Sequence, residues 1–497
     1  MLRFFDQEIG TPDNFIVTLE LVPGRQSTGR SVDTVLGIAK DAFDDGRISA
    51  VSITDNPGGN PSLSPDVLGH EIFRHGMDVI VHFTCRDMNR VGMESRALQL
   101  ARLGMKNILA LTGDYSGKGF GGQGKPVFDF DSVILTAMLK KLNARLEASG
   151  DPDGFFTGCA VSPFKTIEAE CQVQYRKLDL KVKAGASFII TQLGYNVDKF
   201  EEVLVNNRSK GINLPTMASV YLLSPRSARA MNRGRVAGVH VSDDLFNTVV
   251  TEWEETKQGL KKAIDRTAKL GLILKGLGYR GIHIGGIHRN FSTVAAILDR
   301  MEEMENNWQD HMEEFKDCNH RYYFFFTPEK NRDNVPTRKE RIGGALTDYC
   351  PYLFLKNAHH VFFNKESRAA ARYARIATFF DDHNVSWLVK LIMEDPLKKL
   401  FLSCQSCGDC AIQHIGFQCP ESGCPKYTRN GACGGSKDGY CEVNPDKLCI
   451  WVRAYRRYKR YGDEEKLSQS FVPPRLWALN RSSSWINFHL NRDHQGK

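Results

Sequence analysis

At 497 residues, 41% of them hydrophobic, the chain can bury a substantial core and is expected to divide into two or three globular domains. A formal charge of +8 is modest for this size; it does not indicate nucleic acid, and it is compatible with an anionic small substrate or an acidic protein partner. No stretch approaches the roughly 18 continuous apolar residues of a membrane span, no apolar signal segment opens the chain and no internal repeat is present, so the cytoplasm is the expected compartment.

Short apolar runs alternate with amphipathic helical stretches from the start. The runs are IVTLELVP from Ile16, AVSITDN from Ala50, DVIVHFTC from Asp78 and NILALTGD from Asn107. Four more follow: FFTGCAVS from Phe155, FIITQLGY from Phe188, LPTMASVYLL from Leu214 and GIHIGGIH from Gly281. Eight strands, each apolar along most of its length and each followed by a helix, predict an α/β fold: a (β/α)8 TIM barrel over residues 1–297. An open doubly wound sheet would carry a glycine-rich dinucleotide fingerprint after an early strand, and none stands there. The run SGKGFGGQGKP from Ser116 reads instead as a mobile loop after the fourth strand.

Chemistry in such a barrel sits at the C-terminal strand ends. Glu20, between Leu19 and Leu21, ends the first strand, and apolar neighbours push a carboxyl pKa up toward the range of a general acid. Thr54 and Asp55 close the second strand, His82 and Thr84 the third, Asp114 the fourth and Gln192 the sixth. Lys165 and Lys181 lie on or after the fifth unit, and Arg289 just beyond the eighth. Any one of these is more often a structural hydrogen-bonding residue than a catalytic one, and it is their shared placement that singles them out.

Beyond the barrel, residues 298–337 read as a connector. It holds an acidic helix from Asp299 to Glu314 containing Trp308, then the aromatic run RYYFFF, expected as a packed strand, and a polar linker. Residues 338–497 form a cysteine-rich domain with a wrapping extension after Gly462. Its basic window, with Arg453, Arg456, Arg457, Lys459 and Arg460, reads as a solvated helix face over packed tyrosines rather than as a docking site for an acidic partner.

Eight of the thirteen cysteines fall between Cys404 and Cys449. A disulfide framework belongs to small secreted chains, so this density points to metal. Cys404, Cys407 and Cys410 have the C-x2-C-x2-C spacing with which one loop takes three corners of an iron-sulfur cube, leaving the fourth iron to a remote cysteine. Proline follows Cys419 and Cys424, as it follows the remote ligand in bacterial ferredoxins, and Cys433, Cys441 and Cys449 complete the set. Eight cysteines beginning with a triplet favour two 4Fe-4S clusters over two-knuckle zinc, with zinc kept for part of the set. Cys85, Cys159, Cys171, Cys318 and Cys350 have no metal-like spacing and read as reduced core or surface residues.

These motifs resemble methylenetetrahydrofolate reductase, the flavin-dependent barrel enzyme, through nearly all of the first 295 residues. VTLELVP resembles the family's first strand and implies that Glu20 is the catalytic acid. ALTGDY places Asp114 near the flavin ring, and VHFTC places His82 among the flavin contacts. KVKAGASFIITQ, the most specific segment, aligns Lys181 with a flavin-binding lysine and Gln192 with the glutamine that holds the pterin. The resemblance also implies cofactor contacts at Thr54, Asp55, Thr112, Gly113, Phe130, Asp131 and Lys165, and a substrate-side arginine at Arg289. Two departures stand out. Ala160 to Lys165 replace a Tyr-Pro and a His that cover the flavin in many members, which leaves FAD and FMN both open. Ser227 and Met231 stand where a Gln and a Phe meet nicotinamide or folate, which puts direct use of NADH or NADPH in doubt.

Residues from about Arg338 to Gly462 resemble the small cysteine-rich partner of this reductase in anaerobic one-carbon pathways, usually a separate subunit. CQSCGDC, CPK, NGACGG and CEV carry that likeness, with Cys449, Trp451 and Tyr455 after them. The two resemblances together imply an oxidoreductase that converts 5,10-methylenetetrahydrofolate to 5-methyltetrahydrofolate through a bound flavin. They further imply electrons from a ferredoxin-like donor or NAD(P)H, other redox subunits as partners, and a homo-oligomer. The alternatives are an NAD(P)H-dependent reductase with a structural zinc domain, a corrinoid-linked pterin methyltransferase, or a non-enzymatic electron-transfer protein on a degenerate barrel.

Overall fold

The first two strands, Ile16–Leu21 (β1) and Ala50–Ile53 (β2), are buried along almost their whole length, as strands covered outside and packed within must be. They belong to a closed parallel barrel completed by Val79–Thr84 (β3), Asn107–Leu111 (β4), Phe156–Val161 (β5), Phe188–Thr191 (β6), Thr216–Tyr221 (β7) and Gly281–Gly285 (β8). Pairing follows chain order round the ring, and β8 closes on β1 with Thr18 opposite His283. The computed structural model describes residues 4–151, 153–305, 307–316, 322–326 and 343–496, with residues 343–351 described by backbone alone.

Side chains alternate along a strand, so every second residue faces the barrel axis. At the N-terminal end this inward set is apolar: Ile16, Ala50, Ile80, Leu109, Phe188 and Met217 pack into one cluster. The N-terminal helix Phe5–Gly10 plugs that end, with the Phe5 ring 5.1 Å from Phe188 and its backbone amide donating to buried Asp78 at 2.8 Å. Gly158 lies beneath the Phe188 ring, where a Cβ would stand 2.2 Å from a ring carbon. One or two residues further along each strand the inward set turns polar, and the site lies there.

Two expectations are corrected beyond the barrel, and a third holds except at Arg457. The acidic helix is two elements, the end of helix Ser292–Glu303 and a separate 3-10 segment Trp308–Phe315, whose Trp308 ring lies against Gly276. The aromatic run is no strand over its described part, 322–326. Its backbone groups are taken by Lys165 O, Lys199 Nζ and Glu202 Oε2 instead of a ladder, while Tyr322 and Phe324 are buried. The polar linker and Cys318 lie outside the described residues, as does the Cys350 side chain. The basic window is the expected face over packed tyrosines: Lys459 and Arg460 are exposed, and Arg453 and Arg456 half-buried. Helix Ile450–Lys459 buries Tyr455 and Tyr458 and packs Trp451, Val452 and Tyr455 with Ile167, Ala169 and Val173 of the barrel. Arg457 in it is buried and donates to Gly416 O at 2.6 Å. The loop after β4 carries a two-residue hairpin, Lys118–Gly119 with Gly122–Gln123. Among the described residues no helix is long and apolar enough to cross a membrane.

Candidate active site and metal centres

The polar layer at the C-terminal end of the barrel brings Glu20, His82 and His283 together from β1, β3 and β8, with one ligand-type atom of each within 4.8 Å of the others. Burial pushes the Glu20 carboxyl up to about 7. The same desolvation, acting on bases, pulls His82 down to about 4 and His283 to about 3, so both imidazoles are neutral at neutral pH. His283 is held by Thr18 Oγ1 at 2.8 Å on Nδ1 and by Ser52 Oγ at 3.3 Å on Nε2. Sequence reasoning passed over His283. The signal available was parity: in GIHIG the inward positions are Gly281, His283 and Gly285, and the two glycines leave the imidazole room. Tyr221 belongs to the same layer, its ring 3.1 Å and the Glu20 carboxylate 3.2 Å from where a Cβ on Gly285 would stand.

Three buried polar atoms facing this end have no partner: Thr54 Oγ1, His82 Nε2 and Ser162 Oγ. Buried groups of this kind are normally satisfied, so they fit a polar cofactor or substrate that supplies the missing bonds. Lys181, drawn down to about 8 by burial, donates to Ala160 O at 2.6 Å at the end of β5. Gln192 accepts from its neighbour Leu193 at 3.0 Å, and its amide nitrogen lies beside Gly238 and Ser162.

Other predicted residues have structural engagements. Asp55 accepts from Thr84 and from Arg96, at 2.9 and 2.8 Å. Asp114 is exposed and accepts the Gly58 amide at 3.0 Å. Thr112 bonds Ser132, Gly113 takes a positive φ of 89° against Thr84, and Phe130 carries the Arg90 guanidinium at 5.6 Å. Asp131 caps helix Ser132–Ala148 and accepts from the Arg429 and Asn430 amides, so it ties barrel to cysteine region. Ser227 closes a capping box with Ser224, Met231 packs in an apolar cluster with Leu223 and Val241, and Arg289 is exposed.

The eight clustered cysteines divide into two sets of four. Cys404, Cys407, Cys410 and Cys419 line one small cavity, and Cys424, Cys433, Cys441 and Cys449 line another. All eight thiols are free, and burial raises Cys404 to about 11 and Cys407 and Cys433 to about 12. Within each set the thiols act electrostatically on one another: Cys404 feels Cys419 and Cys410, and Cys449 feels Cys433 and Cys424. Buried thiols that repel each other's ionisation fit a cationic metal centre, which binds them as thiolates. The spacing bears on which metal. Around one tetrahedral zinc, with Zn–S near 2.3 Å, sulfurs stand about 3.8 Å apart. Among the described residues, the only groups of three or more ligand atoms within 4.8 Å of one another are the Glu20 group and Asp409, Asp493 and His494, and neither contains a cysteine.

The second set lies against the barrel mouth. Lys426, ion-paired with Glu442, donates to Gly113 O at 2.7 Å, and Lys165 donates to Gly434 O and Ser436 O. The Gly434 carbonyl lies 2.9 Å from a Cβ position on Gly238, and Lys437 approaches Gly234 equally closely. This cysteine loop therefore lies over the residues that follow β4 and β5 and against the segment that follows helix Pro225–Asn232.

A family model described as Methylenetetrahydrofolate reductase matches residues 6–302, and one described as Methylene-tetrahydrofolate reductase C terminal matches residues 388–478. The chain belongs to the methylenetetrahydrofolate reductase family. Methylenetetrahydrofolate reductase 1 of Schizosaccharomyces pombe is 24% identical over 265 residues, 53% of this chain and 42% of that protein. Methylenetetrahydrofolate reductase 2 of Saccharomyces cerevisiae is 29% identical over 189 residues, 36% of this chain and 29% of that one. The chain thus spans less than half the length of these curated relatives. A solved structure described as an uncharacterized protein from Clostridium thermocellum that binds two copies of 5-methyl-5,6,7,8-tetrahydrofolic acid is 12% identical, with a TM-score of 0.41, over 60% of this chain and 98% of that one, a likeness too loose to bear on substrate.

Proposed function

We propose that the chain reduces 5,10-methylenetetrahydrofolate to 5-methyltetrahydrofolate at the mouth of the barrel, with electrons entering through the two cysteine sets from a ferredoxin-like donor. The observation that carries the reading is Glu20, a carboxyl with a pKa of about 7 set beside two neutral imidazoles in a family that acts on this folate.

Reduction of the methylene carbon requires the five-membered ring to open to the N5 iminium cation, which needs a proton at N10. In the Glu20, His82 and His283 group only the carboxyl has an acidic proton to release near neutral pH, the imidazoles being neutral and keeping only their ring N–H, so Glu20 is the donor. His283, tied to Thr18 and Ser52, stays a fixed neutral dipole and does not compete for that proton. A bound flavin supplies the hydride, and the residues that would hold it are Thr54 and His82, with their unpartnered polar atoms, and Lys181 beside Ala160. Gln192, at the end of β6, orients the pterin.

The cysteine sets would hold two four-iron clusters, Cys404, Cys407, Cys410 and Cys419 the outer one, the remaining four the one nearer the barrel. Such centres supply one-electron transfer. The C-x2-C-x2-C triplet in the first set and the partition of the eight cysteines into two cavities of four support clusters. The loop through Gly434 lies against Gly238, just beyond the helix that carries Ser227 and Met231, and this favours entry by way of the cysteines. The test is anaerobic turnover: protein given reduced ferredoxin and methylenetetrahydrofolate should form the methyl product, whereas turnover with NADPH alone and zinc without sulfide in the purified protein would sink the donor assignment.

A further inference from the structure

The helices between the connector and the first cysteine set expose an apolar face. Thirteen of the twenty-six exposed large apolar side chains among the described residues lie between Leu353 and Phe401, a concentration that marks an interaction surface rather than scattered exposure. Three helical segments contribute to it: Gly343–Phe362, Ala370–Asp382 and the continuous run Ser386 to Leu402. Ring contacts tie them side by side, Phe354 to Phe401 at 5.5 Å and Phe362 to Tyr373 at 5.7 Å. The most open apolar positions are on the last segment, with Leu400 77% and Ile392 65% exposed.

What lies behind this face sets its meaning. The run Ser386 to Leu402 ends two residues before Cys404, and its Glu394, Lys398 and Leu402 line the cavity of the first cysteine set. One side of that segment therefore walls the outer metal centre while the other side offers Leu391, Leu397 and Leu400 to a partner. Alongside stand Arg368, in the turn before helix Ala370–Asp382, and Arg372 and Arg375 on that helix at helical spacing with exposed Ile376 and Phe379; all three arginines are exposed and without an ion-pair partner among the described residues. Of the acidic groups nearby, Asp381 is engaged with Arg492, Asp395 with Lys390 and Lys399, and Glu394 with Lys398, which leaves exposed Glu366 and Asp382 against the three arginines and Lys365.

We infer that this face docks a small acidic electron-transfer protein, its apolar centre seating over the helix that walls the Cys404 set and its acidic rim meeting the three arginines. The inference rests on the proposed entry of electrons through the cysteines. Each docking event oxidises one donor by one electron, and two events with two protons convert one methylene group to a methyl. A second copy of the chain fits less well, because a two-fold contact would bring the same unpaired arginines together. A membrane surface would also accept a basic apolar face, yet it gives no reason for the face to back the metal centre.

The test uses the full chain, reconstituted anaerobically, with a small acidic two-cluster ferredoxin as the probe. One variant is Arg368→Glu with Arg372→Glu and Arg375→Glu, and a second is Leu391→Ser with Leu400→Ser; all five side chains are exposed. The dissociation constant for ferredoxin is read by interferometry at low and high salt, and turnover is read with ferredoxin and with reduced viologen dye. The expected result is a dissociation constant and a ferredoxin KM raised roughly tenfold or more in each variant, with dye-driven turnover unchanged. In the charge variant the salt dependence of binding also falls. Ferredoxin binding unchanged in both variants overturns the inference. With binding unchanged, loss of a dimer in either variant assigns the face to a second copy, and loss of flotation with anionic vesicles assigns it to a membrane. Absence of dye-driven folate reduction in the parent counts against the reaction itself, and the binding measurement still decides the docking surface.

Discussion

Lys165 Nζ donates to the carbonyl oxygen of Gly434 at 2.6 Å, joining the loop after β5 to the cysteine loop that holds Cys433. The lysine is buried and bonds Ser436 O as well, at 2.7 Å, so both carbonyls are satisfied by one charge. It stands in the segment where many members of the family carry an aromatic cover for the flavin. In this chain the segment docks the cysteine region. Lys165→Met should leave those two carbonyls without their donor, at a cost of about 1–3 kcal/mol for each buried group left unpaired. The expected outcome is faster amide exchange over 433–437 by mass spectrometry and slower ferredoxin-driven turnover, with dye-driven turnover close to the parent's.

Glu20→Gln should bind flavin as the parent does and lose folate reduction by orders of magnitude, since neither neutral imidazole of the trio has an acidic proton to give near neutral pH. In the parent, folate reduction should fall as pH rises through about 7, as the acid form of Glu20 is depleted.

The same carboxyl makes a stability prediction. Its folded pKa is raised from 4.5 to about 7, so between those values the folded state binds more protons than the unfolded one and stability falls as pH rises. Glu20→Gln removes that term. The variant should gain thermal stability over the parent at pH 8 and show no such gain at pH 4, measured by calorimetry.

His283→Leu should cost about 2 kcal/mol or more in denaturant unfolding, because Thr18 Oγ1 and Ser52 Oγ lose their partner inside the barrel. Its second effect is on the acid: without the imidazole beside it, the pH midpoint of folate reduction should move from the parent's.

Cys407→Ser and Cys433→Ser remove one ligand from different sets. Elemental analysis of anaerobically purified parent should give about eight irons with matching sulfide, and each variant roughly half. Equal loss of all metal from both variants would mean that the eight cysteines form one coupled centre, contrary to the two cavities.

Much of the barrel was legible in the chain. The alternation of eight apolar runs with helices, the absence of a dinucleotide fingerprint and the polar strand ends follow from local patterning, because a strand buried on both faces has to be apolar nearly throughout. Glu20 was legible for the same reason, since a carboxyl flanked by two leucines at the end of such a strand is desolvated wherever the barrel closes. The acidic helix, the aromatic strand and, in the basic face, Arg457 alone were misread where tertiary contacts override composition: Arg457 is buried because Gly416 O receives it, and Tyr323 is held by Lys165 and Lys199 in place of a ladder.

By itself the sequence determined a parallel barrel, a carboxyl at the end of its first strand and a dense cysteine region, all properties carried by residue type and short-range spacing. Only the tertiary structure decided that His283 joins Glu20 and His82, that the cysteines part into 404, 407, 410, 419 and 424, 433, 441, 449, and that the second set lies on the barrel mouth. Those facts depend on which strands become neighbours when the ring closes and on how a long chain folds back upon it, and spacing along the chain carries no distance across it.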